Sequence, residues 1–143
     1  MNLKQWLGLD PEHTFYESFT VHAAIAGIKP DGEIFANWCN DPGKTVFMIE
    51  LRRLPALPSR LIYLHHSGVE LLDVVQSYQF KDGHLTLEYR ATMARLVRAR
   101  GCKVFIDNPH VDLPEIERVL RVLFADVRPD FSGLPASRPG GQP

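Results

Sequence analysis

Apolar and polar positions alternate through much of this chain, and the spacing turns helical in two later stretches. The clearest alternation is HLTLEYR, residues 84–90: Leu85, Leu87 and Tyr89 fall on one side, His84, Thr86, Glu88 and Arg90 on the other. A period of two is that of a half-buried antiparallel strand. Lys81-Asp82-Gly83 just before it reads as a hairpin turn, because Asp-Gly tolerates positive φ. Residues 15–28, 33–39, 45–53, 61–66 and 102–107 read as further strands, rich in β-branched and aromatic residues. Lys29-Pro30-Asp31-Gly32 is a turn signal. Pro55 and Pro58 predict a break between the third and fourth strands. Residues 69–80 are divided: the first part is compatible with a helix, while Val74 to Phe80 alternates like a strand.

Helical spacing comes in two places. Met93, Leu96 and Val97 share one side of ATMARLVRARG while Arg95 and Arg98 face away, and Gly101 is placed to end that helix. The second is stronger. Asp112 caps, Glu115 follows three residues later, and Pro114 suits the first turn. Ile116, Val119, Leu120, Leu123 and Phe124 then form one apolar stripe opposite Glu117, Arg118 and Arg121. Residues 2–9 suggest a short N-terminal helix. The expected architecture is α+β: a mostly antiparallel sheet with the C-terminal amphipathic helix and a shorter helix packed on it. Residues 1–126 form a single domain. Residues 127–143, dense in Pro and Gly, are expected to stay disordered because they bury too little surface to offset ordering entropy.

Bulk properties narrow the function. The chain has 143 residues and a formal net charge of −1, so no whole-chain field draws it to nucleic acid. Arg90, Arg95, Arg98, Arg100 and Lys103 read as a solvated face, without the aromatic motif of an RNA-binding sheet. Cys39 and Cys102 lack paired spacing and are expected as reduced thiols. No apolar window has the length of a membrane span, and the N-terminus has no signal-peptide core. A cytoplasmic protein is expected.

Candidate chemistry is thin. Gly43-Lys44-Thr45 resembles the end of a phosphate-binding loop, but Trp38 stands where the first glycine belongs and a strand, not a helix, follows. Asn40-Asp41-Pro42-Gly43 is better read as a turn. His65 and His66, adjacent in an expected strand, would point to opposite faces and not share a metal. Ser67 has no nucleophile-elbow motif around it. A small enzyme built on His65, His66, Asp107 and His110 is a minor alternative, since turn formation and capping explain Asp107 and Asp112. The expectation is therefore no catalytic set, no metal and no cofactor. Trp38, beside a polar turn and close to acidic groups, is either a core-edge residue or a contact anchor. With Glu33, Asn40, Asp41 and Lys44 it makes the candidate partner-binding set.

The order of these elements also carries a resemblance. IFANWCNDPGKTVFMIELRR, SGVELLDVVQSYQFKDGHLTLEY and the succession ATMARLV, CKVFID, LPEIERVLRVLF resemble the small immunity proteins of bacterial polymorphic toxin systems, the immunity family numbered ten. The likeness spans residues 15–124, by order of elements and apolar spacing. It implies a non-enzymatic protein that binds a cognate toxin and occludes its active site or substrate access. A secretion chaperone or adaptor-type binding module is the alternative.

Overall fold

The computed structural model describes residues 15–40 and 48–127. The expected helix at residues 2–9, residues 41–43 of the expected turn at 40–43 and residues 128–143 of the expected tail at 127–143 lie outside the described residues. The described elements run β1 (Tyr16–Val21), β2 (Ala23–Ile28), β3 (Ile34–Cys39), β4 (Met48–Leu54), β5 (Leu57–Leu64), β6 (Glu70–Leu72), β7 (Val75–Lys81), β8 (His84–Tyr89), α1 (Ala91–Val97), β9 (Gly101–Ile106) and α2 (Leu113–Leu123). The described residues form an α+β fold with mostly antiparallel strands and two helices.

The described strands form two sheets where the sequence suggested one. The orders are β1-β9-β8-β7 and β2-β3-β4-β5-β6. Every pairing is antiparallel except β1 with β9. Residues 15–28 are not one strand: the chain leaves one sheet at Val21 and enters the other at Ala23, with His22 as the corner. A second crossing falls at Asp73, whose φ is 56°. Its backbone N–H donates to Leu61 O and its side chain accepts from Leu61 N–H, which pins the corner to β5. Residues 70–72 are therefore a short strand and not helical.

The proline-rich stretch stays in the sheet but breaks its register, which shifts between Arg52 and Leu54. Leu54 pairs with Leu57 across a tight turn, and Pro58 sits inside β5. On its other side, β6 reaches only Ile62 to Leu64, so the missing Pro58 N–H deprives no neighbouring strand.

The inner faces of both sheets form one core. From the first come Val21, Leu85, Leu87, Tyr89, Cys102 and Val104; from the second, Ala24, Ala36, Trp38, Ile49, Leu51, Leu61 and Tyr63. Helix α2 lies against β2, β3 and β4, and Phe124 just past its end meets the Tyr78 ring of β7, centroids 4.6 Å apart. Ile116, Val119, Leu120 and Leu123 are buried as the apolar stripe required. Each contributes a gross transfer term of about 1.5–3 kcal/mol. Asp112 accepts from Glu115 N–H at 3.1 Å, the expected cap.

The other end of α2 is closed by Arg53, an inward-facing residue of β4. Its guanidinium donates to Leu123 O at 2.9 Å, Pro58 O at 2.7 Å and Asp126 Oδ1 at 2.5 Å. A cation at a helix C-terminus meets both the unpaired carbonyls and the negative end of the dipole.

Gly101 does not end α1, as its position suggested. Arg98 takes that role, in the left-handed conformation with φ 57°. Gly101 opens β9, and a β-carbon there would lie 1.9 Å from Leu87 O.

Candidate functional site

Glu17 is the anomaly of β1. Burial alternates along that strand so that Glu17, Phe19 and Val21 face the core while Ser18 and Thr20 face solvent. A carboxylate on an inward position must find partners, because leaving it unpaired there is costly. Its partners come from the turn after β5. That strand ends at Leu64, and His65 and His66 lie in the turn, not in the strand. The strand's alternation therefore does not govern them, and the expectation that they face opposite ways is overturned. His65 Nε2 is 3.0 Å from Glu17 Oε1, and His66 Nε2 is 3.0 Å from Glu17 Oε2. The two imidazoles lie side by side, centroids 4.1 Å apart and planes inclined by 38°.

The turn itself is held by backbone bonds. Gly68 N–H donates to His65 O and His65 N–H to Val69 O, and Gly68 has φ 94°. Such a φ suits glycine alone, so Gly68 is what folds the turn back and presents both imidazoles to β1. Ser67 completes the local geometry. Its hydroxyl is 2.8 Å from His65 Nδ1 and its N–H donates to the same nitrogen at 3.2 Å.

Behind Glu17 a chain of polar groups runs into the core. Tyr89 O–H donates to Glu17 Oε1 at 3.3 Å, the Tyr63 and Tyr89 hydroxyls are 2.9 Å apart, and Tyr63 reaches Cys102 Sγ at 3.7 Å. This chain links β1, β8 and β9 of one sheet to β5 of the other. Burial pushes the Glu17 carboxyl up, but the hydrogen bonds from His65 and His66 and their charge outweigh it and hold the pKa below the ordinary carboxylate value. Burial raises the Tyr63 and Tyr89 phenols well above the usual value and the Cys102 thiol to about 11. Cys102 is therefore a protonated core thiol, not a nucleophile.

The wider set of His65, His66, Asp107 and His110 does not converge. Asp107 bonds to Val21 O through its N–H and to His22 Nδ1 through its side chain, at 2.5 Å. Val21 and Glu17 are four residues apart on β1, about 13 Å. Asp107 instead lines a separate cavity of about 330 Å³ with Asp82, Asn108 and Leu113.

The described members of the candidate partner-binding set do not share one surface. Trp38 is fully buried, facing the core from β3, so its side chain offers no surface to a partner. Glu33 precedes β3 and pairs with Lys29 at 3.3 Å. Asn40 follows the other end of β3, about 23 Å away along the strand. Asp41 and Lys44 lie outside the described residues.

Sequence reasoning missed the outer face of the five-stranded sheet. Register places Ile25, Asn37, Glu50, Leu64 and Glu70 in one row and Gly27, Phe35, Arg52, Ile62 and Leu72 in the next. The described helices leave this face open. Ile25 is 62% exposed and Leu72 40%. An Arg52–Glu70 pair at 2.5 Å spans β5 and shields Ile62. The period-two pattern held the signal, but only register shows which apolar residues share a face. Among the described residues, no helix is long and apolar enough to cross a membrane. The chain matches no protein-family model, no curated protein and no solved structure.

Proposed function

We propose that this chain is a binding protein of the immunity type, which neutralises a cognate bacterial toxin by covering its active site or blocking substrate access. The observation that supports this reading is the open outer face of the five-stranded sheet. Ile25, Phe35 and Leu72 supply apolar anchors there, and Glu33, Glu50 and Glu70 outnumber Lys29 and Arg52 around them. A toxin surface with a basic substrate groove is the complementary shape and charge: buried apolar contacts give affinity and the acidic rim steers encounter. Trp38 drops out of the contact set, Glu33 stays on its margin, and Asn40 follows the far end of β3.

The test is co-expression with the toxin encoded beside this gene. Protection of the host cell, with a stable complex on size-exclusion chromatography, is the expected result. Continued lethality with this protein folded and abundant overturns the proposal.

A further inference from the structure

We infer that Glu17, His65 and His66 form a site for a divalent first-row transition cation of the zinc class. The site is independent of the toxin-binding reading. One ligand atom from each residue lies within 4.8 Å of the other two. The nitrogen-to-oxygen separations of 3.0 Å are close to what tetrahedral coordination needs. Bonds of about 2.0–2.1 Å place neighbouring ligand atoms about 3.3 Å apart. The two contacts go to different carboxylate oxygens, so a bound ion draws both Nε2 atoms toward it by rotation of the imidazole and carboxylate side chains.

The donor set selects the ion. Two imidazoles and one carboxylate suit Zn²⁺, Co²⁺ or Ni²⁺, whereas Mg²⁺ and Ca²⁺ prefer oxygen throughout. Proton placement follows. With Glu17 ionised and accepting from both rings, each Nε2 carries the proton. A bound ion needs the Nε2 lone pair, so each neutral ring must shift to the tautomer with its single proton on Nδ1: Nε2 releases a proton to solvent and Nδ1 takes one up. The Ser67 hydroxyl, 2.8 Å away, can accept from the His65 Nδ1–H once the Ser67 N–H, which donates to that nitrogen at 3.2 Å, turns away from it. It then fixes ring orientation and tautomer, as groups behind metal-bound histidines do. Tyr89 O–H, at 3.3 Å, holds the carboxylate from behind. The His66 side chain is 30% exposed while that of His65 is 4% exposed, so one side of the site is walled by the core and the other faces solvent. The ion enters from the His66 side and keeps water in its remaining position.

The ion would join β1 to the turn between β5 and β6, and so fasten the two sheets together at this end. Titration calorimetry of the chelator-treated full chain with ZnCl2 is expected to show one site with 1:1 stoichiometry. Co²⁺ is expected to develop an intensified visible spectrum, and Mg²⁺ to give no heat. His66→Ala and Glu17→Gln should each weaken Zn²⁺ binding at least tenfold, while His22→Ala leaves it unchanged. Ser67→Ala should weaken it by about tenfold or more. His66→Ala removes a partly exposed turn side chain, and its circular dichroism reports whether it remains folded. Absence of a 1:1 site in the parent chain, or equal Zn²⁺ affinity in the parent, His66→Ala and Glu17→Gln proteins, overturns the assignment.

Discussion

Gly101 has room for a hydrogen and nothing more. A β-carbon would strike Leu87 O at 1.9 Å and come within 3.0 Å of the Tyr16 ring. Both neighbours are fixed, Leu87 by the sheet and Tyr16 by its 2.5 Å hydrogen bond to Glu88. Gly101→Ala is expected to cost about 3–5 kcal/mol, read as a fall in urea midpoint, because a clash with backbone cannot relax by a rotamer change. The sequence marks this glycine only as a helix terminator, since close approach between strands 14 positions apart leaves no local trace. Cys102 beside it makes a second prediction. Burial raises its pKa from 9.0 to about 11, so the folded state holds the thiol proton more tightly than the unfolded chain does. That contribution is complete below pH 9 and is lost as pH rises to 11. Tyr16, raised from 10.0 to about 12 chiefly by burial with its bond to Glu88, adds a loss between pH 10 and 12. Denaturation midpoints are expected to fall above pH 9, and Cys102→Ala should flatten the first part of that fall.

Helix α2 was legible in the sequence almost to its ends, because cap, first-turn proline and apolar stripe are all local signals. Asp112→Ala should lower stability by about 1 kcal/mol in chemical denaturation. Its C-terminal closure was not legible, since Arg53 lies 70 positions before Leu123. Arg53→Met keeps the apolar stem and removes three donors from Leu123 O, Pro58 O and Asp126. The expected loss is about 2 kcal/mol, since two backbone acceptors lose their partner. Strand β8 and the Asp82-Gly83 hairpin were also readable from alternation. The His65-His66 turn was misread because the apolar run of β5 leads into it without a break. Only Gly68, with its positive φ, signals where the strand has ended.

The division into two sheets is a property of the whole chain, and no window of sequence contains it. Strand propensity says that residues 15–28 are extended; only the partners of each half say that they belong to different sheets. The same limit hid the open face on β2 to β6. A charge there tests it directly. Ile25→Asp should leave the melting temperature nearly unchanged, since exposed substitutions usually shift stability by within about 0.5 kcal/mol. On the proposed binding role, the same change should weaken neutralisation of the cognate toxin at least tenfold in titrated co-expression, where Trp38→Phe, fully inside the core, alters stability and spares binding.

The parallel pair of β1 with β9 has a further consequence, for the order of events during synthesis. Strands β2 to β6 form a meander whose neighbours follow one another along the chain, so each can pair soon after it emerges from the ribosome. Strand β1 precedes them all, yet its sheet partner Gly101–Ile106 is made almost last. At ordinary elongation rates this leaves β1 waiting roughly 4–17 s for that partner. Nascent-chain proteolysis should therefore find Tyr16–Val21 cleavable long after the meander has become resistant.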